Sequence, residues 1–327
     1  METNGDGRLP ADPGRVPPAD GRTVFLGADG GGTGTALCAL EGGRRIASGR
    51  AGPLNYRFIP AEEAVRNLAE GVAALGVAPE RIAAIGVADP ALDDAAEADD
   101  AEAARFRALL EATLPFPVFV RSDVRMALFG LTDGTGPGVL VVAGTGAMGI
   151  AEDAQGRVLV AGGWGRLAGD GGSGYFIATE GIRAALGAFE GVSPPTALTG
   201  ALPAFFGVPT LRALIPVFYG TPAPDVASFA TEVARCAEAG DAESLRILDE
   251  AARHLVAYAD RLVRFSGART VGIYGGVLLG NRRVRGRFEA ALRERFGDVA
   301  VAPPPVPPEE AAALYAERNF KEGTKHP

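Results

Sequence analysis

Short apolar runs that end in glycine-rich turns dominate two stretches of this sequence. Residues 24–49 read VFLGADGGGTGTALCALEGGRRIASG, and residues 139–163 read VLVVAGTGAMGIAEDAQGRVLVAGG. Each stretch predicts a strand, a turn rich in glycine and threonine, a second strand, a polar turn and a third strand. One supersecondary unit therefore occurs twice, which predicts a duplicated α/β protein.

Apolar residues at helical spacing follow the first stretch. They predict a helix over 61–75, a strand over 82–87, a second helix over 101–112 and a further strand over 117–121. A helix that separates two strands implies a crossover and parallel pairing. We therefore predict a first lobe, residues 23–134, with the order β-β-β-α-β-α-β in a mixed sheet.

The second stretch begins a similar pattern that is interrupted by a long helical insertion, predicted over 173–266, with Asp241 as a helix N-cap. A strand over 270–274, a turn at Gly275-Gly276 and a helix over 283–296 follow. We predict a second lobe over 135–308 and a closing helix and tail over 309–327 that return to the first lobe. Residues 1–22 are expected to form a disordered tail, and the acidic run 93–100 a solvated loop.

Composition limits the class of protein. A chain of 327 residues with 47% hydrophobic residues is long enough for two cores, and two lobes imply a cleft. The net charge of −8 and the scattered basic residues argue against nucleic acid as a partner. The sequence has no apolar run long enough for a membrane helix and no signal peptide, so we expect a cytoplasmic protein that does not enter a membrane. Its oligomeric state is left open, and a homodimer is compatible with the sequence.

Few residues are available for metal or histidine chemistry. The two cysteines, Cys38 and Cys236, are far apart in sequence and form no CxxC pair, which argues against a zinc or iron-sulfur site. The two histidines are His254, in a predicted helix, and His326. We therefore expect any general base to be a carboxylate.

The first glycine-rich turn, DGGGTGT over 29–35, lies between two predicted strands. Its backbone N–H groups could cradle a phosphate, because glycine permits close approach and positive φ. A plain tight hairpin is the alternative, although four glycines exceed what a hairpin needs. The second turn, GTGAMG over 144–149, matches the GxGxxG fingerprint of dinucleotide-binding proteins. That fingerprint requires a following helix, whereas residues 150–160 predict another hairpin, and no lysine follows either turn as a Walker A motif would need.

Two such hairpins in two lobes resemble the superfamily of actin, sugar kinases and heat-shock ATPases. The segments GGWG over 162–165 and GDGGSGY over 169–175 resemble the GGWG…GDEGSG signature of the N-acetylglucosamine kinase and BadF/BadG ATPase family. The resemblance covers about residues 23–302. It implies two actin-like, ribonuclease H-like lobes and the binding of ATP with Mg²⁺.

The resemblance also implies roles for individual residues. Asp29 would hold the metal, and Asp123 would be the general base for a sugar hydroxyl. The sugar would be bound by Asn55, Asp170, Gly146 and Trp164. The nucleotide would be bound by Gly31, Gly32, Thr33, Gly144, Thr145, Gly146, Gly275 and Gly276, of which the last two would pass the adenosine.

Each of these side chains has a plainer structural interpretation. Asp29 could cap its own turn, Asp123 could be an N-cap, Asn55 could be a loop residue, and Trp164 could pack in a core. The chain also departs from the family pattern at two places. Gly171 replaces the glutamate that follows the aspartate of the signature, and Ala88-Asp89-Pro90 replaces a glycine-rich turn. Both departures bear on the identity of the phosphoryl acceptor.

The favoured function is an ATP-dependent kinase that phosphorylates a hydroxyl of N-acetylglucosamine or glucosamine. One alternative is an ATPase of the BadF/BadG type, such as an activator of acyl-CoA dehydratases, which holds an iron-sulfur cluster through paired cysteines. Another is a nucleotide-gated sugar sensor without catalysis.

Overall fold

The computed structural model describes residues 24–92, 101–220 and 225–323. The predicted tail over 1–22 and the acidic run over 93–100 lie outside the described residues. The chain divides into two compact units. Unit 1 consists of the described residues within Met1–Gly130 and Pro305–Pro327, and unit 2 consists of those within Leu131–Pro304.

Regular elements cover most of the described residues. The strands are β1 Val24–Gly30, β2 Thr35–Glu41, β3 Arg44–Ala51, β4 Ile82–Asp89, β5 Val118–Ser122, β6 Gly138–Ala143, β7 Ala147–Glu152, β8 Val158–Gly162, β9 Thr270–Tyr274 and β10 Ala300–Ala302. The helices are α1 Ala61–Ala74, α2 Ala101–Thr113, α3 Asp123–Thr132, α4 Gly165–Ala168, α5 Gly174–Phe189, α6 Leu198–Phe205, α7 Leu214–Phe218, α8 Ala230–Glu238, α9 Ala242–Ser266, α10 Gly276–Gly280, α11 Arg282–Phe296 and α12 Pro308–Gly323. Short 3₁₀ helices span Pro79–Arg81, Leu211–Ala213 and Val226–Phe229.

Each unit is built on a mixed five-stranded sheet. The order in unit 1 is β3-β2-β1-β4-β5, and in unit 2 it is β10-β9-β6-β7-β8. The first three strands of each unit form an antiparallel meander, and the first of them, β1 or β6, also pairs in parallel with a later strand, β4 or β9. Read from the meander outward, the two sheets have the same topology. The predicted duplication of a mixed α/β unit is confirmed.

Alternation along β1 explains how unit 1 is layered. Val24, Leu26 and Ala28 point into a core shared with helices α1 and α2, which contribute Leu68 and Phe106. The intervening residue Phe25 belongs to a separate apolar cluster on the other face of the sheet, together with residues of α12. Unit 1 is therefore a sheet covered by helices on both faces.

Helix α12 lies unusually close to the sheet of unit 1 because two strands present glycine beneath it. A Cβ at Gly27 would lie 1.8 Å from the Glu309 carbonyl oxygen, and one at Gly86 would lie 1.9 Å from the Ala312 carbonyl oxygen. The start of the helix is also tied to β3, since Arg45 donates to Glu310 at 2.6 Å and to Glu309 at 3.0 Å. The chain end is thus an integral layer of unit 1.

We expect Gly86→Ala to destabilise unit 1 by about 3 kcal/mol or more, because its methyl group would overlap the backbone of α12 and a backbone cannot rotate away. The measurement is thermal or urea unfolding. Gly286→Ala in α11 is the matched control, since nothing lies within 4 Å of its added Cβ and alanine favours a helix over glycine. Equal stability of the two variants would contradict the close packing of α12.

Unit 2 packs the long helix α9 across its sheet. Ala252, Leu255, Ala259 and Leu262 of α9 are buried in one core with Val139 and Val141 of β6, and this core extends to helices α5, α6, α8 and α11. Asp241 is the N-cap of α9 as predicted, with its carboxylate accepting from the Ser244 N–H at 2.9 Å. The predicted helical insertion is therefore a set of separate helices, α5 to α9, and α9 is the one that covers the sheet.

One predicted turn has a different form. Residues 275–276 do not make a simple reversal, because Gly276 begins the short helix α10. Among the described residues, no helix combines the length and the apolar character needed to cross a bilayer.

Candidate functional site

The carboxyl ends of the parallel strands in unit 1 gather most of its predicted functional residues. Asp29 of β1 is in register with Ala88 of β4, and Asp89 of β4 is in register with Ser122 of β5. Asp123 comes directly after Ser122 and begins α3. In parallel α/β sheets, ligands are bound at this edge, where loops leave the strands.

The first glycine-rich turn extends from the same edge. Gly31 is half-buried, with its carbonyl accepting from the Leu54 N–H at 3.2 Å, whereas Gly32 and Thr33 are exposed. A Cβ at Gly30 would lie 2.8 Å from Leu54 and from Pro90, and 2.9 Å from the Ala88 carbonyl oxygen. The glycine there lets three segments converge: this turn, the loop that carries Asn55, and the Ala88-Asp89-Pro90 turn.

Asp29 is the most perturbed carboxyl group at this edge. Burial raises its pKa to about 7, and the negative charges of Asp123 and Glu309 add to the effect. A carboxylate that is costly to ionise among other carboxylates is one that a bound cation would stabilise.

Asp123 is not needed as the cap of its helix. Ser122 caps α3, because its hydroxyl accepts from the Arg125 N–H at 3.1 Å, while the Asp123 carboxylate accepts from the adjacent Val124 N–H at 2.7 Å. Asp123 is partly buried and close enough to Asp29 to raise the pKa of Asp29. The alternative that Asp123 is the N-cap is therefore wrong, because Ser122 is the cap of α3.

The loop that carries Asn55 is held by a network that the sequence did not indicate. The Asn55 side-chain oxygen accepts from the Arg57 N–H at 3.1 Å, and Arg57 donates twice to the Ala91 carbonyl, at 3.0 and 2.8 Å. Tyr56 donates to the fully buried Asp89 at 3.0 Å, and Asp89 also accepts from the Ala91 N–H. The residues that replace a glycine-rich turn therefore fasten the Asn55 loop to the end of β4.

In unit 2, the second glycine-rich turn joins β6 to β7 and is anchored to the start of α5. The Gly144 and Thr145 carbonyls accept from the N–H groups of Gly174 and Tyr175 at 2.7 and 3.2 Å. The Gly144 N–H donates within the turn to Gly146 at 2.9 Å, so Thr145 and Gly146 are the better candidates for contact with a phosphate. A strand rather than a helix follows the turn, so the dinucleotide-binding interpretation of GxGxxG is wrong here.

Asp170 lies over this turn. A Cβ at Gly146 would be 2.9 Å from its carboxylate, and Asp170 itself adopts a left-handed φ of 59°, which is uncommon for a residue other than glycine. Burial raises the pKa of Asp170, while hydrogen bonds from the Ala147 and Gly165 N–H groups oppose that rise.

Gly275 crosses the same region. It has a φ of +89°, and a Cβ there would lie 2.5 Å from the Ala143 carbonyl oxygen and 2.9 Å from the Gly144 nitrogen. Gly275 therefore packs against the start of the second glycine-rich turn, and Gly276 follows it as the first residue of α10.

Trp164 is 79% exposed, so the alternative that it packs in a core is wrong. It lies on the wall of a pocket in unit 2 with a cavity volume of about 390 Å³. Other lining residues are Gly162, Gly169, Gly171, Phe176, His254 and Tyr258. The pocket thus adjoins Asp170 on both sides in sequence, through Gly169 and Gly171.

His254 and Tyr258 were not identified from the sequence as functional residues. They come from α9, which supplies them one turn apart on the same face. Burial and the Asp170 charge raise the pKa of the Tyr258 hydroxyl, and the Gly171 N–H opposes that rise. The one available signal was the i, i+4 spacing of two polar aromatic residues on an otherwise apolar helix face.

The residues that the structure describes could hold Mg²⁺ together with a nucleotide phosphate, but they could not enclose the ion alone. Among the described residues, no group of three or more His, Cys, Asp or Glu side chains could enclose a metal ion by itself. Mg²⁺ is commonly held by one or two carboxylates together with phosphates and water, and the charge-strained Asp29 is suited to that role.

The BadF/BadG/BcrA/BcrD ATPase family model matches residues 26–316. The chain belongs to this family. Membership in an ATPase family implies the use of ATP, and the matched segment includes both glycine-rich turns and every candidate residue named above.

Two curated relatives of this family member are sugar kinases by name. The chain is 36% identical over 140 residues to the N-acetylmuramic acid/N-acetylglucosamine kinase of Clostridium acetobutylicum, a match that covers 42% of this chain and 45% of that protein. It is 27% identical over 190 residues to the N-acetyl-D-glucosamine kinase of Dictyostelium discoideum, covering 55% of this chain and 60% of that protein. The matches thus span about half the length of these relatives.

A solved structure with the same fold is that of a candidate N-acetylglucosamine kinase from Chromobacterium violaceum. The TM-score is 0.69 at 22% identity, with 90% of this chain and 99% of the other covered. This similarity confirms the predicted actin-like fold, because it covers 90% of the chain.

Proposed function

We propose that this protein is an ATP-dependent kinase that phosphorylates a hydroxyl group of an amino sugar, N-acetylglucosamine or glucosamine. The observation that carries the proposal is the electrostatic pairing of Asp29 with Asp123 at the carboxyl ends of β1 and β5. Phosphoryl transfer needs one acidic group to hold a metal and another to orient or deprotonate the acceptor hydroxyl. The names of the two curated relatives support the choice of sugar.

Each residue has a defined part in the proposed reaction. Asp123 takes the proton of the sugar hydroxyl that accepts the phosphoryl group. The oxygen of that hydroxyl forms a bond to the γ-phosphorus, and the bond between the γ-phosphorus and the ADP oxygen breaks. Mg²⁺, when bound, neutralises charge on the phosphate oxygens, and Asp29 would hold it. Asn55 and Asp170 would bind sugar hydroxyls, and the two glycine-rich turns would supply backbone N–H groups to the phosphates.

The hydrogen bond that Asn55 already makes indicates which of its side-chain atoms would bind the sugar. Its carbonyl oxygen already accepts a hydrogen bond within its own loop, so its amide nitrogen is the group expected to donate to a sugar oxygen. Asp170 can only accept when ionised, and it would take a hydrogen bond from a sugar hydroxyl. Asn55 would thus recognise a hydrogen-bond acceptor, and Asp170 a donor.

The two cysteines make the dehydratase-activator alternative unattractive. Each is buried within its own unit. The Cys38 thiol donates to the Glu309 carbonyl at 3.2 Å, and burial raises its pKa to about 12. A thiol of this kind is a poor ligand for a cluster, which requires an exposed thiolate.

The proposal is tested by coupled ADP release with Mg²⁺-ATP and a panel of N-acetylglucosamine, glucosamine, N-acetylmannosamine and glucose. We expect ADP release to depend on an amino sugar and phosphorus NMR to show a stoichiometric sugar phosphate. ADP release without any sugar would instead identify an ATPase of the BadF/BadG type. Tight sugar binding without ADP release would identify a sensor.

A further inference from the structure

Gly171 replaces the family's glutamate, and its backbone does not explain the choice of glycine. The neighbouring Gly172 has a φ of +89°, which favours glycine, whereas Gly171 lies outside the left-handed region. Space is the constraint at Gly171. A Cβ there would lie 2.7 Å from both Cγ and Nδ1 of His254. The imidazole, which enters from α9, occupies the place where a side chain at position 171 would begin.

The surroundings of His254 fix the direction of its ring. The imidazole ring and the Phe176 ring form a T-shaped pair with their centroids 4.9 Å apart. The Nε2 atom of His254 lies 3.5 Å from a carboxylate oxygen of Glu250. The Glu250 carboxylate favours the tautomer with the proton on Nε2. Nδ1 is then a lone-pair acceptor on the side of the ring that faces Gly171.

His254 is suited to act as an uncharged group. Burial lowers its pKa, and the positive charge of Arg253 adds to this effect, while the charges of Glu250 and Glu180 oppose it. The ring also lines the pocket of about 390 Å³ that Trp164 and Tyr258 line, a size within the range of small-molecule sites. Exposed aromatic surface of this kind suits the apolar face of a sugar ring.

We propose that His254 lines the acceptor site and that its Nδ1 accepts a hydrogen bond from a sugar hydroxyl or amide N–H. This inference rests on the proposed sugar kinase function. Gly171 is the small residue that makes room for the ring, and a glutamate at position 171 would be an alternative acceptor in this pocket, with a negative charge that the neutral imidazole lacks. His254 is therefore a specificity-determining residue, and Asp123 remains the catalytic one.

Sugar binding can be followed without catalysis, because Trp164 is the only tryptophan of the chain and lines this pocket. Titration with N-acetylglucosamine is expected to change its fluorescence. We expect His254→Ala to raise the Kd about tenfold, the scale of one lost hydrogen bond and its packing, with the Kd for ATP unchanged. His254→Gln, which keeps an acceptor, is expected to recover much of the loss.

The alternative acceptor at position 171 is tested by combining variants. Gly171→Glu is expected to lower the Tm and weaken sugar binding, because its side chain overlaps His254. In the Gly171→Glu/His254→Ala double variant, we expect the Tm to recover and the Kd to return to within about threefold of the wild type. Gly172→Ala is the matched control, since it meets the Ala251 carbonyl at 2.7 Å and needs a positive φ whatever residue occupies 254. His254→Ala should not rescue it.

The outcomes separate this inference from the proposed function. An unchanged Kd in His254→Ala, or a double variant no better than Gly171→Glu alone, overturns the role of His254 even if the wild type is a kinase. Sugar binding that depends on His254 without any turnover supports the inference and contradicts the kinase. No fluorescence response to any sugar of the panel overturns the inference.

Discussion

Replacing Asp123 by asparagine is expected to lower kcat for sugar phosphorylation by roughly 10² to 10⁴, the usual range for loss of a general base. Asparagine keeps the size of the side chain and can still accept the hydrogen bond from the Val124 N–H, and Ser122 continues to cap α3. The fold and the affinity for the sugar should therefore change little. Steady-state kinetics together with Trp164 fluorescence measure the two effects separately.

The same variant makes a second prediction possible. Since the Asp123 charge contributes to the raised pKa of Asp29, its removal should lower the pKa of Asp29. Glu243→Gln is a suitable control, because that residue is ion-paired on the surface of α9 in unit 2. A turnover number for Asp123→Asn equal to that of the wild type would contradict its assignment as the base.

Replacing Asp29 by asparagine should abolish most of the Mg²⁺-dependent turnover and yet stabilise the ligand-free protein at alkaline pH. The folded-state pKa is raised to about 7 from an ordinary value of 3.8, so the folded protein binds the proton more tightly than the unfolded chain does. The contribution of Asp29 to the free energy of unfolding is fully present below about pH 4 and is lost as the pH rises through 7. At pH 8 the ionised Asp29 lowers the free energy of unfolding by about 1–3 kcal/mol relative to its protonated form at low pH, after allowance for partial solvation.

The measurement is the melting temperature of wild type and Asp29→Asn at pH 5, 6, 7 and 8 in the presence of EDTA. We expect the difference in melting temperature to grow with pH, in favour of the variant. In a parallel series without EDTA, Mg²⁺ with a nonhydrolysable ATP analogue is expected to reduce the difference by stabilising the wild type. A difference that stays constant from pH 5 to pH 8 would contradict the raised pKa. Such an exchange of stability for activity is characteristic of functional residues.

The sequence was sufficient to predict features that depend on local periodicity and turn chemistry. The alternation along β1 and the glycines that follow it define the meander, and the repeat at β6 defines the duplication. The N-cap at Asp241 was also predictable, because capping involves residues three positions apart.

Features that depend on contacts distant in sequence were not predictable. Nothing near Gly27 or Gly86 in the sequence indicates that the backbone of α12 will lie directly above them. In the sequence Asp89 is only part of a divergent turn, and the hydrogen bond that it accepts from Tyr56 joins residues 33 positions apart. Likewise, Gly171 and His254 are related only through the packing of α9 against the pocket, so neither residue alone indicated that the ring needs the space at Gly171.

The placement of α12 in unit 1 has a consequence for biosynthesis. A ribosome releases β1, β4 and β5 early, but the helix that covers one face of their sheet is made only after the whole of unit 2. Domains tend to fold as they emerge, so the half of the protein synthesised first is expected to be the last to reach its native state. During that interval the apolar residues Phe25 and Ala84 are not yet covered by Ala316 of α12. A chaperone that binds exposed apolar segments of nascent chains would bind there.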